Sequence, residues 1–461
     1  MHADGLPLAK RRIAVLATAL GTLLSMMDVT IANVALPTIA SDLGATASAS
    51  IWIINAYQFA IVMLIVPLAA LGDIVGYARV YRVGLVVFIA ASIVCATSHT
   101  LVGLALARVV QGAGAAAMTT TIGSLNRHAY PRAMLGRAAG QGALMVAVGA
   151  AAGPVVGGTI LAVAPWPWLF LINLPLGLIA FILAMRSLPE TAGSGHPFDW
   201  PSALLSALSF GLLIATITAV GHHERPALVI GAASATVLVG TIFITMQRKH
   251  SLPIFGVDLF AKPVFSLSIA SSVTSFIAQT VAYVALPFLF ENVLGHSPFI
   301  TGLLMAPWLV AAGIMAPIAG RLSDRFEPGM MGGIGMLMMA LGLVTLALLP
   351  AHASIPDVIW RMSVCGIGYG LFQSPNNRTI LGSVTRERTG AAQGILATAR
   401  VTGQTIGAAI VALIFGATFE GHAGLASAGA IAYALGIAVT FALAAATASS
   451  LRRTKPTPAA G

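Results

Sequence analysis

SMMDVTIANVALP fills residues 25–37, and TVAYVALP at 280–287 repeats its second half, TIANVALP, 250 residues later. The spacing holds elsewhere along the chain. Asp73 returns as Asp324 in GRLSDRF (320–326), Arg108 as Arg361, and Gln141-Gly142 as Gln393-Gly394, with offsets of 250 to 253 throughout. Self-similarity at a fixed spacing marks two copies of one structural unit. The first copy also holds Asp28, an acid in the middle of a long apolar run, and that position raises the question of function.

Composition excludes a water-soluble fold. Hydrophobic residues make up 58% of the 461 and charged residues only 8%, against roughly 25% charged in a soluble domain. So few charges cannot cover a surface facing water. Apolar stretches of spanning length, about 20 residues each, fall near 13–38, 51–71, 83–98, 101–123, 138–163, 167–185, 201–220, 227–246, 264–290, 299–319, 330–349, 356–377, 390–418 and 423–449. The class is an all-α integral membrane protein of fourteen spans. Lys10-Arg11-Arg12 before the first run resembles the start of a signal peptide, but the run continues past that length and many more follow, so it reads as a first span.

Net charge is +10, yet the basic residues form no patch for nucleic acid. They sit in alternate gaps between the spans. Twenty of the 24 Lys and Arg fall on the side of the termini, Arg225 alone falls opposite, and Arg108, Arg361 and Arg400 lie within spans. By the positive-inside rule both termini are cytoplasmic, which predicts a multi-pass protein of the inner (cytoplasmic) membrane. The repeat then divides the chain into an N-terminal six-helix bundle (1–190), two linker helices (191–250), a C-terminal six-helix bundle (251–454) and a disordered tail (455–461). Cys95 and Cys365 lie in apolar runs and read as packing residues.

Acids inside a bilayer cost about 2.5–3.5 kcal/mol on insertion scales, so they mark function or a committed partner. Nearly all of the fourteen acids lie in loops; Asp28 is the clear exception. Its structural reading is a carboxylate bonded to a neighbouring helix. Its functional reading is a group that alternately binds a proton and a cationic or polar substrate, because a carboxylate held away from water favours its protonated form. Arg108 is the partner expected for Asp28. An arginine cannot discharge and needs a counter-charge, carbonyls or water. Arg361, near the outer end of its span, reads more readily as a snorkelling charge, and Arg400 reads equally as functional or structural. Glu291, also at an outer end, is either solvated or a second acid. GAAAGPVVGG at 149–158 places Gly149, Gly153 and Gly157 on one face for close packing, with Gly158 beside them and Pro154 able to bend the helix. The expected contact is between the two halves. No phosphate loop, hydrolase elbow or metal spacing occurs, so neither enzyme chemistry, a metal nor a cofactor is expected, and the proton gradient is the energy source.

These residues together resemble the major facilitator superfamily, in particular its 14-span drug:proton antiporter branch. The match runs through Asp28, Thr30, Asn33, Ala35, Leu36 and Pro37 in span 1, then Leu71, Asp73, Gly76 and Arg79 in the loop after span 2. It continues with Arg108, Gln111, Gly112 and Gly114 in span 4, the span 5 glycines with Pro154, and WPWLFLINLPLG at 166–177. The loop signature departs from the branch at Ala69, Ile74 and Tyr77, where Gly and two basic residues are usual. That weakens its role as a conformational latch and leaves Asp73, Gly76, Arg79 and Asp324 as candidates. Glu291 stands where relatives more often carry Gln. The resemblance implies export of hydrophobic, often cationic drugs or toxic compounds in exchange for protons by a chain read as a monomer. Each charge crossing 100 mV supplies about 2.3 kcal/mol, which is adequate. Rival readings are export of one metabolite, uptake by symport, and a membrane sensor or assembly partner.

Overall fold

The long apolar runs become helices because a backbone in lipid must satisfy its own hydrogen bonds. A computed structural model describes residues 5–131, 134–190, 199–221, 226–249, 257–323, 325–350, 352–384, 389–417 and 427–452. Among these residues are fourteen long helices. They are α1 (Leu8–Asp42), α2 (Trp52–Val75), α3 (Tyr77–Ala96), α4 (Leu101–Ala129), α5 (Leu135–Val163), α6 (Asn173–Ser187) and α7 (Trp200–Gly221). The rest are α8 (Pro226–Lys249), α9 (Pro263–Phe288), α10 (Pro298–Leu322), α11 (Pro328–Ala347), α12 (Ile355–Gly382), α13 (Thr389–Ala417) and α14 (Ala428–Ser450). Each predicted span has its helix. The tail from residue 455 and Asp324 lie outside the described residues.

Eleven segments are long and apolar enough to cross a membrane by length and composition alone. Among the described residues, the apolar parts of α5 and α7, Val148–Val163 and Trp200–Thr216, are too short to meet this test. α12 has 28 residues, about 42 Å at 1.5 Å per residue, but carries polar residues, of which Tyr369 and Asn376 pack against α9. The even helices α4, α10, α12 and α14 begin with Thr100, Ser297, Ser354 and Ser427, whose hydroxyls accept from the first-turn backbone N–H groups. Such caps satisfy donors that the helix leaves open.

Glycine packing makes the internal repeat visible in three dimensions. A Cβ on Gly112 would run into the Tyr57 carbonyl and the Ala60 methyl, and one on Gly366 would meet the Trp308 carbonyl and the Ala311 methyl. Gly114 lies against Gly84 and Phe88, as Gly368 lies against Gly335 and Met339. These pairs are offset by 251 in α2/α10 and α3/α11 and by 254 in α4/α12. The sequence pairing of Arg108 with Arg361 is therefore out by one residue. Met362, fully buried, holds the position equivalent to Arg108, and no charge is repeated there.

The two sets of helices meet in the middle of the molecule and on the side opposite the termini, here the far side. Gly158 of α5 approaches Pro298 and Phe299 of α10, and Gly302 of α10 lies on the Pro154 carbonyl. The Ser48 hydroxyl donates to the Ala412 carbonyl at 2.9 Å. Val62 of α2 packs with Val401 of α13 and Ile214 of α7.

Orientation is open to a direct check. A cysteine at His99, exposed between α3 and α4, is expected to react with an impermeant maleimide in whole cells, and one at Arg79, exposed in the first turn of α3, only after the membrane is breached. Both native cysteines are buried and free, so background labelling is low. Labelling of residue 79 from outside overturns the cytoplasmic placement of the termini.

Candidate functional site: a buried carboxylate–guanidinium knot

Asp28 lies about three-fifths of the way along α1, facing α4 and α6, with 3% of its surface exposed. Its Oδ2 accepts from Arg108 Nη1 in a direct ion pair between fully buried side chains. Its Oδ1 accepts from Gln111 Nε2 at 2.9 Å and from Asn173 Nδ2 at 3.0 Å. Gln111 follows Arg108 by three residues, so one face of α4 delivers both groups. Gln111 Oε1 accepts from Arg108 Nη1 at 2.6 Å, and its amide also donates to Ser92 Oγ at 2.9 Å. Ser92 Oγ accepts from Asn173 as well, at 3.3 Å, and donates to the Phe88 carbonyl at 2.8 Å.

The guanidinium is held on its other sides by the Ile53 carbonyl, 3.1 Å from Nε, and by aromatic faces. Its carbon stands 4.2 Å from the Tyr57 ring centroid and 5.7 Å from that of Phe170. Arg108 Nη2 has no hydrogen-bond acceptor among the described residues, and the ring quadrupoles replace one. Removing a single partner from such a pair strands a buried charge, at a cost of about 3–5 kcal/mol. The knot ties α1, α2, α3, α4 and α6 together through one carboxylate.

The expected Asp28–Arg108 pairing is present. Sequence reading missed Asn173 and Ser92 as partners of the acid. Asn173 stood inside the WPWLFLINLPLG signature, where a polar residue amid aromatic and aliphatic ones was the available signal; Ser92 had none. The closed knot also leaves no free oxygen on Asp28 for a substrate in this conformation.

The other intramembrane charges separate. Arg361 pairs with Asp357 one turn earlier at 3.0 Å, donates to the Thr345 carbonyl and lies 5.2 Å from the Trp360 ring. It is a locally satisfied charge at a helix end. Glu291 sits in a π-helical turn, Leu289–Val293, that continues α9. It is half-buried rather than solvated. Thr301 of α10 is its neighbour, and neither Glu291 Oε1 nor Thr301 Oγ1 closes a hydrogen bond in this conformation. Arg400, in α13, has no ion pair with the described residues.

The loop after α2 explains its own departure from the signature. Gly76 ends α2 at φ 98°, a left-handed conformation that suits glycine. The Tyr77 hydroxyl donates to the Asp73 carboxylate, so a neutral donor serves the acid where basic residues are usual. Arg79 is exposed.

The span 5 stripe requires correction. Gly149 faces Leu23 and Met26, Gly153 faces Met27 and Thr30, and Gly157 faces Ile31, all on α1 of the same half. Within this motif Pro154 and Gly158 touch α10 of the other half. A helix turns 100° per residue, so neighbours 157 and 158 address different helices. Pro37 and Asn33 are buried in α1, and Asn33 Oδ1 lacks a partner among the described residues.

A second polar knot lies at the start of α9, unforeseen from sequence. Arg452, just past α14, donates to Ser268 Oγ at 3.0 Å, to Asn376 Oδ1 and to Ser449. Burial pushes its guanidinium down to about 10, so it stays charged at neutral pH. In the other half Thr18 of α1 and Asn126 of α4 are joined at 3.1 Å.

A fourteen-helix membrane fold built twice from one unit, with a buried ion pair at mid-depth in one copy only, is the frame of a secondary transporter. The chain belongs to the Major Facilitator Superfamily, whose family profile matches residues 18–408 and 267–460. It is 49% identical over 416 residues to the uncharacterized transporter YebQ of Escherichia coli (strain K12), covering 90% of this chain and 91% of that one. It is 30% identical to the riboflavin transporter RibZ of Clostridioides difficile (strain 630), covering 87% and 88%, and 30% identical to the multidrug efflux pump LfrA of Mycolicibacterium smegmatis, covering 95% and 89%. A bacterial homolog of the human lysosomal transporter Spinster has the same fold, at a TM-score of 0.70 with 17% identity over 97% of both chains.

Proposed function

We propose that the protein is a proton-coupled antiporter exporting small hydrophobic compounds, drugs and toxic compounds among them, across the cytoplasmic membrane. The observation that carries this reading is the Asp28 carboxylate, whose partners on other helices are all donors. Charged, it holds α1 against α4 and α6. A proton on either oxygen removes the charge that Arg108 answers and turns an acceptor into a donor among donors. At least one of these bonds must then open. α1 is released against α5, which it touches at Gly149 and Gly153, and α5 carries the shift to α10 through Pro154 and Gly302. Proton uptake and the far-side contact of the two six-helix units (1–190 and 251–454) lie on one contiguous path, with helices 191–250 as linker. With the termini in the cytoplasm, this conformation is closed to the outside and offers its site inward. Buried polar atoms without partners among the described residues, on Asn55 of α2, Tyr283 of α9 and Trp308 of α10, are groups that substrate or water reaches as the units separate.

LfrA, a multidrug efflux pump by name, supports polyspecific export. RibZ, a riboflavin transporter by name, supports a second reading in which one metabolite is carried. Purified protein in proteoliposomes with an imposed pH gradient distinguishes them. Fluorescein, Nile red, ethidium and riboflavin are the probes. Movement of several dyes against their gradients, abolished by an uncoupler, is expected; riboflavin alone selects the second reading. Movement that ignores the uncoupler, or none for any probe, overturns proton-coupled export.

A further inference from the structure

Among the described residues, one cation at mid-depth has no counter-charge; Arg452, buried at a helix end, is held by neutral partners. Among the fourteen helices the acids are Asp28, Asp42, Asp73 and Asp357. Asp28 is committed to Arg108, and Asp357 to Arg361. Asp42 accepts from Trp166 and Asp73 from Tyr77, both at helix ends. Arg400 has none of them. At 1.5 Å per residue it lies about 26 Å from the far end of α13, while Asp28 lies about 21 Å from the far end of α1, so the two share a similar depth.

Arg400 is deep inside the protein and yet half-buried rather than sealed. Its electrostatic neighbour is Tyr369 of α12, whose hydroxyl accepts from Gln373 Nε2 at 3.2 Å and whose ring meets Phe276 edge-on at 6.4 Å. Three residues on, Gly403 packs against Phe276 of α9, and the next residue, Val401, packs on Val62 of the other half. The guanidinium thus stands on the face of α13 turned toward α9 and α12, beside an aromatic wall. A guanidinium cannot neutralise itself and forms its strongest bonds, two at once, with a carboxylate.

We propose that the transported compounds carry an acidic group, an aromatic carboxylate being the best fit, and that Arg400 receives it. This rests on the transport reading above and names its substrate class. A cationic substrate would need a free acid at this depth, and the one acid there is already bound on both oxygens. Binding of the anion supplies the charge Arg400 lacks.

The test uses matched compounds that differ only in charge: 2-naphthoate, 2-naphthamide and 2-naphthylmethylammonium, with the corresponding anthracene set. Thermal shift and equilibrium binding are measured on the purified full chain in a gluconate buffer, with chloride titrated separately as the inorganic anion. The acids are expected to bind roughly 10- to 100-fold more tightly than their amides, the range of one hydrogen-bonded charge. Arg400→Gln should erase that margin, so that acid and amide bind alike; Arg400→Lys should keep part of it. Unliganded melting temperatures of both variants report folding, and the Lys variant keeps the test valid if the Gln variant is unstable. Tighter binding of the ammonium compounds, equal binding of acid and amide, chloride saturating the site without displacement by acid, or no acid binding at all each overturns the proposal. Uncoupler-sensitive dye transport with such a result sinks the substrate class alone, whereas its absence sinks the transport reading.

Discussion

Asp28→Asn is expected to lose uphill export entirely, falling to the background of empty vesicles, while exchange down a gradient persists. Asn keeps one acceptor oxygen and replaces the other with an NH2 group that faces only donors, from Arg108 or from Gln111 and Asn173. One of those contacts is lost, about 1–3 kcal/mol for a buried polar group left unsatisfied, and Arg108 is left without its counter-charge. The variant should therefore melt at lower temperature than the parent. Adding Arg108→Gln removes the stranded cation, and neutral replacement of a buried ion pair is often tolerated. The double variant should regain stability and still fail to couple. Uphill transport by either variant would place the proton site elsewhere, with Glu291 the next acid to test. A double variant no more stable than Asp28→Asn would show that the pair is not an isolated charge balance.

Gly153→Ala is expected to impair both stability and export, although it adds a single methyl group. A Cβ there would collide with the Thr30 hydroxyl and stand 2.8 Å from Thr30 Cβ, so α5 must move away from α1. Overpacking of this kind costs typically 1–3 kcal/mol. Gly157→Ala is the internal control, because its Cβ would meet Ile31 at 3.5 Å, an ordinary contact. Gly158→Ala reports on the contact between halves, where a Cβ would stand 2.7 Å from the Pro298 carbonyl oxygen. It should loosen the far-side closure and shift the carrier toward its other state, read as increased labelling of a cysteine at Phe299 from outside. Equal export by the Gly153 and Gly157 variants would remove α5 packing from the transport cycle.

Membership in a repeated fourteen-helix fold was legible in the chain alone. Lipid removes water as a partner for the backbone, so length and apolarity of each run dictate helix and number, and the repeat at 250 residues reports that one unit is used twice. Asp28 was equally legible, because an acid costs so much in a bilayer that its mere presence at mid-span marks it. Its partnership with Arg108 followed from there being few charges to choose from.

What the chain could not disclose depends on which way side chains point. Neutral residues such as Ser92 and Asn173 cost little in an apolar run and leave no signal until packing aims them at one carboxylate. Gly157 and Gly158 read alike, yet a 100° rotation sends one to α1 and the other toward α10. Arg108 and Arg361 align in the repeat, yet one residue of helical offset seals the first against Asp28 and leaves the second with Asp357. The one-dimensional pattern determines what lipid will accept along each helix. Only the tertiary fold decides which charges meet, and which, like Arg400 at mid-depth, meet no counter-charge among the described residues.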